Sequence, residues 1–277
     1  YTISMKISVV GAGPAGCLTA ELLAKSGHDV RVFEEHPKIG VPEHCTGLVS
    51  PRLMDLVKTK ALLNKPKIVQ ILGKNAQVEL KGEAFVIDRP KFDQERYKAA
   101  KKAGAKFSFN KRVHFNGKNL FIGNHQLEQD IAIAADGARS VFRTYYHPHY
   151  TYLLPAAQYS VQGKFNPQKV QIHFWPQYDR KHRGLFTWLV PQSKKLAKVG
   201  VACNDPKKSL DSFMDEKLPD AKIREATAGT VLIGGIVRQD FGKIKLLGDA
   251  AGHVKATTAG GLVAGLICAE KLAESIN

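Results

Sequence analysis

The chain has 277 residues, 44% of them hydrophobic, which is enough for a sizeable core and one or two domains. It has neither an apolar run long enough to span a bilayer nor a segment with the basic start and apolar centre of a signal peptide, so we expect a soluble protein. Its four cysteines form no C-x-x-C motif, which argues against a zinc or iron–sulfur site and favours a reducing cytoplasm.

The first predicted elements form a β-α-β unit. Lys6 to Val10 is a short apolar strand, and a helix from about Ala15 to Ser26 follows it. Asp29 to Phe33 is the second strand, and Glu34 stands at its carboxyl end. Strand, helix, strand and terminal acid in this register are typical of a dinucleotide-binding domain, in which the acid accepts hydrogen bonds from a ribose.

The turn between the first strand and the helix carries the pattern G-x-G-x-x-G. Gly11 allows a sharp turn, Gly13 lets the backbone approach a pyrophosphate, and Gly16 lets the helix pack closely on the strand. The amides and the positive dipole end of the helix then face the phosphates. The pattern alone is a weak signal, since glycine-rich turns also arise by chance, and its strength comes from the surrounding elements.

The next predicted elements are shorter. A loop over residues 36–50 contains P-E-H-C-T-G, and the elements after it are a helix at Pro51–Lys58, a hairpin of Lys67–Leu72 and Gln77–Leu80, a strand at Phe85–Asp88, a helix at Lys91–Ala103, small antiparallel strands at Lys106–Phe109, Arg112–Asn116 and Leu120–Ile122, and a buried strand at Asp130–Ala135.

The middle of the chain alternates apolar and polar residues with period two, which predicts a mixed antiparallel sheet with one covered face. Its strands are predicted at Gln158–Phe165, Val170–Phe174, Leu185–Val190 and Lys198–Ala202, followed by a helix at Leu210–Leu218, a buried strand at Ile244–Leu247 and a last helix at Thr258–Ser275. We therefore predict an α/β fold with a discontinuous first domain, residues 5–144 and 239–277, and an inserted sheet domain, residues 145–238.

Two further motifs complete the pattern of the first domain. The segment IAIAADGARS ends a strand at Asp136-Gly137, and Ser140 can begin a helix. The segment IKLLGDAAGHVKATTAGGL contains Gly248-Asp249 and ends in a glycine pair before the last helix. Together with the first motif they resemble the p-hydroxybenzoate hydroxylase-like flavoproteins, which implies a Rossmann-like FAD-binding domain.

Within that superfamily the chain most resembles the geranylgeranyl reductases, notably the archaeal digeranylgeranylglycerophospholipid reductases. Four stretches carry the resemblance, namely P-E-H-C-T-G from Pro42, D-R-P-K-F-D from Asp88, F-T-W-L-V-P from Phe186 with the later V-G, and G-D-A-A-G-H-V-K-A-T-T-A-G-G-L from Gly248.

The resemblance assigns roles to individual positions. FAD is the implied cofactor, and no metal is expected. The residues predicted to bind FAD are Gly11, Gly13, Pro14, Ala15, Gly16, Glu34, Glu35, Cys45, Thr46, Gly47, Arg89, Asp136, Gly137, Gly248, Asp249, Gly260 and Gly261. In this family Asp249 accepts from the ribityl chain, the amides near Gly260 and Gly261 face the flavin, and the residues that line the isoprenoid cavity correspond to Phe186, Trp188, Val190 and Pro191.

Some of these residues also allow plainer explanations. Cys45 is the sharpest catalytic candidate, as a proton donor or a thiol against the flavin, although free cysteines are often small buried core residues. His44 beside it could lower its pKa, or be merely solvated. Phe186 and Trp188 share one strand face and fit either a cavity wall or ordinary sheet core. His253 could sit near the flavin or be a structural histidine.

The predicted function is FAD-dependent reduction of double bonds in isoprenoid lipid chains. No second glycine motif follows a strand, so an external donor is expected to supply electrons: ferredoxin, a deazaflavin or NAD(P)H. The alternative enzyme is a flavin monooxygenase or halogenase, although the W-x-W-x-I-P stretch of halogenases is missing from the sequence. The non-enzymatic alternative is a basic flavin-binding protein that docks on a membrane or nucleic acid.

The net charge of +16 bears on the partners. A basic excess can serve nucleic acid, an anionic membrane surface or an acidic protein. The lysines are scattered and lack the aromatic interleaving of single-strand binders. A solvated surface is the plainest explanation, an anionic membrane surface comes next, and nucleic acid is last. A cytoplasmic protein, peripheral on the inner face of the cell membrane, is expected.

Overall fold

The computed structural model of the protein describes residues 3–149, 152–174 and 184–277. In chain order its strands are β1 Lys6–Val10, β2 Asp29–Phe33, β3 Leu48–Val49, β4 Leu62–Asn64, β5 Ile68–Leu72, β6 Gln77–Lys81, β7 Phe85–Ile87, β8 Lys106–Ser108, β9 His114–Phe115, β10 Leu120–Ile122, β11 His125–Gln126, β12 Ile131–Ala134, β13 Tyr152–Gln162, β14 Lys169–His173, β15 Gly184–Pro191, β16 Leu196–Cys203, β17 Lys222–Ile233, β18 Asp240–Phe241 and β19 Ile244–Leu246. The helices are α1 Pro14–Lys25, α2 Leu53–Leu56, α3 Arg89–Lys102, α4 Val141–Tyr146, α5 Pro206–Lys217 and α6 Leu262–Ile276, with a 3₁₀ turn at Gly248–Ala251.

The chain divides into two compact units. The first comprises residues 1–41, 90–152 and 232–277, and the second comprises residues 42–89 and 153–231. This division differs from the predicted one mainly in residues 42–89, which were expected in the first domain, and its other boundaries move residues 145–152 and 232–238 into the first unit. The reason is a strand pairing that the sequence does not reveal: β5 runs parallel to β14, so the β5–β6 hairpin extends the sheet of the second unit.

The first unit is built on a six-stranded sheet in the order β18-β19-β12-β1-β2-β8. The four pairings among β19, β12, β1, β2 and β8 are parallel, as expected for a Rossmann-like domain. β8 was predicted in a small antiparallel group, which is wrong, because it pairs in parallel with β2 at the edge of this sheet. Helix α1 follows the turn after β1 and packs against α6, which also contacts the 3₁₀ turn.

The second unit contains a mixed seven-stranded sheet in the order β17-β13-β16-β15-β14-β5-β6. One face packs on α5 around Val199, Val201, Leu210 and Phe213. The opposite face meets the small sheet β3-β7-β4, where Val86, Val170 and Val190 form a second cluster. Both faces of this sheet carry apolar residues and are covered, whereas the sequence predicted one covered face.

Several element boundaries differ from the predictions. The predicted helix at Pro51–Lys58 is a single turn, and the last helix begins at Leu262, because the chain from Lys255 forms a turn in which Ala259 has a φ of +52°. The twelve-residue strand β17 was not predicted, since its solvent-facing residues blur the alternation. Within the described ranges, no helix is both long and apolar enough to cross a membrane.

Candidate functional site

The glycine-rich turn after β1 has the geometry expected of a phosphate cradle. A Cβ on Gly11 would clash with the Ala135 carbonyl oxygen, and one on Gly16 would clash with the carbonyl oxygen of Gly11. Gly13 differs, because a Cβ there would meet no atom within 4 Å. Gly11 and Gly16 are thus required by packing, whereas Gly13 leaves open space beside the helix.

The amino end of α1 faces that space without a side-chain cap. Gly13 is the N-cap residue in an extended conformation, Pro14 occupies the first turn, and that turn contains no acidic residue. The amides of Ala15 and Gly16 therefore lack the partner that a capping side chain normally supplies. Such a helix start attracts anions, a phosphate group in particular.

Glu34 lies directly beside this turn. Its Oε2 accepts a hydrogen bond from the amide of Ala12 at 2.9 Å, and its Oε1 accepts from the amide of His36 at 2.9 Å. A carboxylate offers about four acceptor positions, so Glu34 retains capacity for a ribose hydroxyl. Glu35, the other predicted acid, is exposed and lies 3.7 Å from Arg112 instead.

The Asp136-Gly137 segment follows β12 and adjoins the same turn through Ala135. Asp136 Oδ2 accepts from the amide of Val141 at 2.9 Å, and Ser140 caps α4 as predicted. Burial raises the pKa of Asp136 to about 6, with that hydrogen bond opposing the shift. The other oxygen, Oδ1, is buried and has no hydrogen-bond partner among the described residues.

The Gly248-Asp249 segment forms the 3₁₀ turn before α6. A Cβ on Gly261, the N-cap of α6, would lie 2.7 Å from Asp249 Oδ1, so this carboxylate sits against the helix start. His253 Nδ1 accepts from the Gly248 amide at 3.1 Å. Because Nδ1 accepts, this geometry is that of a neutral ring with its proton on Nε2, a form that burial favours by lowering the pKa of His253. That nitrogen is buried without a partner in the described chain.

The three segments meet within the first unit. Ala15 of the first motif lies 3.5 Å from the position of a Cβ on Gly248 and 3.6 Å from one on Gly265. The starts of α1 and α6 have no side-chain cap, and Asp136 Oδ1 and His253 Nε2 are buried without a partner among the described residues. These features fit the binding of a dinucleotide such as FAD. Gly137, Gly248 and Gly260 also have no atom within 3.4 Å of a Cβ position, which leaves the backbone accessible.

The loop that carries Cys45 belongs to the second unit. Gly47 has a φ of +79°, and a Cβ there would clash with the Ile87 carbonyl oxygen, so only glycine fits. The amide of Gly47 donates to Cys45 Sγ at 3.4 Å. Thr46 Oγ1 donates to Gln158 Oε1 at 2.9 Å, which ties the loop to β13.

The predicted cavity wall divides between two faces of β15. Phe186, Trp188 and Val190 alternate onto one face, and the side chain of Pro191 lies on the other. The backbone carbonyl of Pro191 accepts from the side-chain amide of Asn64 at 2.8 Å. Trp188 Nε1 donates to Gln158 Oε1 at 3.2 Å, so Gln158 joins the indole to the cysteine loop. Arg89, another predicted residue, is the first residue of α3.

Two residues at this loop escaped the sequence analysis. Lys198 on β16 is buried, pairs with Glu43 and donates to the Cys45 carbonyl at 3.0 Å. Gln158 was read only as a polar position in an alternating strand. A lysine inside an apolar strand run, with small apolar neighbours on both sides, is the signal that could have pointed to Lys198. Within the described ranges, no group of three His, Cys, Asp or Glu residues could hold a metal ion.

Comparison with known proteins decides the family. A family profile described as an NAD(P)-binding Rossmann-like domain matches residues 9–42. Digeranylgeranylglycerophospholipid reductase 1 of Methanopyrus kandleri is 30% identical over 95% of this chain and 77% of its own length. The chain belongs to the digeranylgeranylglycerophospholipid reductase family. The predicted family and its oxidoreductase class are thereby confirmed.

Solved structures confirm the predicted fold class. A geranylgeranyl bacteriochlorophyll reductase-like protein from Thermoplasma acidophilum superposes with a TM-score of 0.86 at 22% identity, over 99% of this chain and 78% of its own. A halogenase variant in complex with FAD has a TM-score of 0.70 at 15% identity, over 99% and 69% of the two chains. Both likenesses support the fold.

Proposed function

We propose that the protein is an FAD-dependent reductase that saturates carbon–carbon double bonds of isoprenoid lipid chains. Family membership supports the reaction class, because relatives across most of the chain are named as reductases of a digeranylgeranyl glycerophospholipid. The observation that carries the proposal is the Gln158 side chain, which joins the Cys45 carbonyl and the Thr46 hydroxyl of the cysteine loop to the indole of Trp188.

FAD is assigned to the convergent segments of the first unit. The amides at the start of α1 hold its pyrophosphate, Glu34 accepts from the adenosine ribose, and Asp249 accepts from the ribityl chain. The chemistry that FAD supplies when bound is hydride transfer to one alkene carbon. The positive amino end of α6 favours negative charge on the cofactor.

The residues of the second unit supply the proton and the dry surroundings. Saturation of an alkene needs a proton on the second carbon, and the Cys45 thiol donates it and regains one from water. A neutral thiol suits this place, because an unpaired ion in an apolar pocket is costly. Phe186 and Val190 are buried and Trp188 partly so, which makes a wall that excludes water.

Electrons come from an external donor in this proposal: ferredoxin, a deazaflavin or NAD(P)H. The only glycine motif of the G-x-G-x-x-G type after a strand is the one assigned to FAD. We propose that the donor binds transiently, and that the basic surface assists if the donor is an acidic protein.

Lipid substrate is drawn from an anionic membrane surface. The β5–β6 hairpin at the edge of the large sheet presents Val78 and Leu80, which are half exposed on the same face as Trp188. Lys67 and Lys81 are exposed at the end of this hairpin. Aliphatic side chains flanked by lysines match the chemistry of a bilayer surface with negative headgroups.

The deciding experiment separates the three candidate functions. The enzyme is reduced anaerobically and mixed with either a digeranylgeranyl phospholipid or with oxygen, a phenol and a halide salt. We expect the lipid to reoxidise the flavin and to gain two hydrogens for each saturated bond, measured by mass spectrometry. Modified phenol with unchanged lipid would instead identify a monooxygenase or halogenase, and unchanged substrates in both arms would identify a flavin-binding protein without turnover.

A further inference from the structure

A buried lysine stands where the sheet meets the cysteine loop. The side chain of Lys198 is 5% exposed and lies on the face of the sheet that also carries Val190, its cross-strand neighbour. A buried ammonium is unfavourable unless it is paired and hydrogen-bonded. Lys198 meets this condition through the loop, by pairing with the Glu43 carboxylate and donating to the Cys45 carbonyl at 3.0 Å.

A second polar side chain reaches the same carbonyl from the neighbouring strand. Gln158 is buried, and its Nε2 lies 3.5 Å from the Cys45 carbonyl oxygen. Its Oε1 accepts from both Thr46 Oγ1 and Trp188 Nε1. The side-chain amide of Gln158 therefore contacts the Thr46 hydroxyl, the Cys45 carbonyl and the Trp188 indole.

The strand register places these groups together. Trp188 pairs with Gly200 on β16, and Gly200 pairs with Gln158 on β13, so the indole lies across Gly200 toward the amide. A Cβ on Gly200 would clash with the Trp188 ring. The loop has irregular backbone over residues 42–47, and side chains of the sheet supply its anchoring contacts.

We propose that Lys198 and Gln158 are positioning residues for Cys45, and that Gln158 couples the place of the thiol to Trp188. The inference rests on the proposed function in one respect, that Cys45 donates a proton to the substrate. Held from two strands, the Cys45 carbonyl fixes the backbone from which the thiol extends, and the Gly47 amide, 3.4 Å from Sγ, orients the thiol itself. A misplacement of about 1 Å at a reacting group can cost on the order of a hundredfold in rate.

The first test compares Lys198→Met with Lys198→Arg, and uses Lys195→Met as the control. Lys195 is an exposed lysine at the turn before β16. We expect Lys198→Met to lower kcat for lipid reduction by about tenfold or more, with KM within about twofold of wild type and full FAD content. Lys198→Arg keeps a charged donor and is expected to recover most of kcat, and Lys195→Met to match wild type.

The second measurement needs no lipid. Alkylation of Cys45 by iodoacetamide, followed on its own peptide by mass spectrometry, reports how firmly the loop holds the thiol. We expect Lys198→Met and Gln158→Leu to change this rate at least threefold. Trp188→Phe keeps an aromatic side chain and loses the indole N–H. We expect it to change the alkylation rate of Cys45 in the wild-type background and not in the Gln158→Leu background.

The outcomes separate this inference from the proposed function. Unchanged alkylation and unchanged kcat in Lys198→Met and Gln158→Leu would overturn the positioning role. Altered alkylation in an enzyme whose wild type reduces no lipid would uphold the positioning of Cys45 and refute the reductase. If Lys198→Met fails to fold, the Trp188→Phe and Gln158→Leu pair carries the decision, because unchanged alkylation there overturns the coupling.

Discussion

At the scale of single residues, Glu34 supports the fold and is the residue proposed to accept from the adenosine ribose. It bridges the glycine-rich turn and the chain after β2 through the amides of Ala12 and His36. We expect Glu34→Ala to weaken FAD binding by about 1–3 kcal/mol, the cost of leaving polar groups without partners. Fluorescence titration of the apoprotein measures it, with the exposed Glu35→Ala as the control. Wild-type affinity in Glu34→Ala would refute the ribose assignment.

Cys45 is expected to affect turnover more than cofactor binding. Cys45→Ser keeps a weaker acid of similar size, and Cys45→Ala removes the donor. Both variants should retain normal FAD content and normal flavin reduction, and lipid reduction should slow by at least about tenfold, more in the alanine variant. Stopped-flow measurement of the two half-reactions separates these steps. Wild-type lipid reduction in both variants would make Cys45 a packing residue, and loss of FAD in both would make the loop structural.

We expect His173 to make the stability of the second unit depend on pH. Burial, with a smaller contribution from Lys217 and against that of Glu216, lowers its pKa from 6.5 to about 4. The unfolded chain therefore binds more protons between these values, so stability is full above pH 6.5 and falls as the pH drops toward 4. The loss is at most about 3 kcal/mol.

Replacement of this imidazole tests the effect. His173→Phe keeps the edge contact with the Phe213 ring, whose centroid lies 4.8 Å away, and does not titrate. We expect the fall in Tm between pH 7 and pH 5 to be smaller in His173→Phe than in wild type. The exposed His125→Phe is the control and should fall as wild type does. An equal fall in all three proteins would show that other groups dominate.

Single residues also show the limits of sequence reasoning. Glu34 follows β2 and Ser140 caps α4, as predicted, because each position depends on strand, turn and helix signals only a few residues away. Lys198 reaches Cys45 across 153 positions, a separation that no local pattern encodes. The apolar run around Lys198 indicates burial, and only the register of β13, β15 and β16 shows that the lysine lies on the face of the sheet that meets the loop.

At the scale of elements, β1 and β2 match the predicted bounds and α1 lies within one residue of its own, because propensity, periodicity and glycines agree there. The parallel pairing of β5 with β14 could not be predicted, since it joins segments about a hundred residues apart. β8 was misplaced for a similar reason: three residues carry too little pattern to choose between two sheets.

The glycine turn before α1 offers a test that separates fold from ligand. Gly13 has an ordinary extended conformation and open space, so Gly13→Ala should cost the apoprotein less than about 1 kcal/mol. Its added methyl fills the proposed pyrophosphate space, and we expect FAD affinity to fall at least about tenfold. Gly16→Ala must clash with backbone and should destabilise the apoprotein itself by about 2 kcal/mol or more.

Thermal melts of the apoprotein and FAD titration read out the two effects separately. The contrast between neighbouring glycines is the informative result, because both belong to one motif and both become alanine. Equal FAD affinity in Gly13→Ala and wild type would place the pyrophosphate elsewhere. A large loss of apoprotein stability in Gly13→Ala would show that the space has a packing role.

At the scale of the whole molecule, the excess of basic residues favours an anionic partner. Each basic group near an anionic bilayer contributes about 1 kcal/mol, and salt screens the attraction. Under the proposed function the charge would bring the protein to the membrane that holds its lipid substrate. The sequence alone could state the charge, but the hairpin that presents aliphatic side chains between lysines emerged only from the sheet topology.

Liposome sedimentation tests this surface with a matched pair of variants. Val78 and Leu80 are 53% and 51% exposed on the hairpin, and Ile223 is 50% exposed on β17 at the opposite edge of the same sheet. We expect wild type to bind anionic vesicles at low salt, to bind neutral vesicles weakly, and to dissociate as salt increases. Val78→Ser with Leu80→Ser should weaken binding several-fold, because apolar area no longer enters the bilayer, and Ile223→Ser should not. Equal binding to both vesicle types, or none at low salt, would mean that the charge is solvated or serves an acidic electron donor.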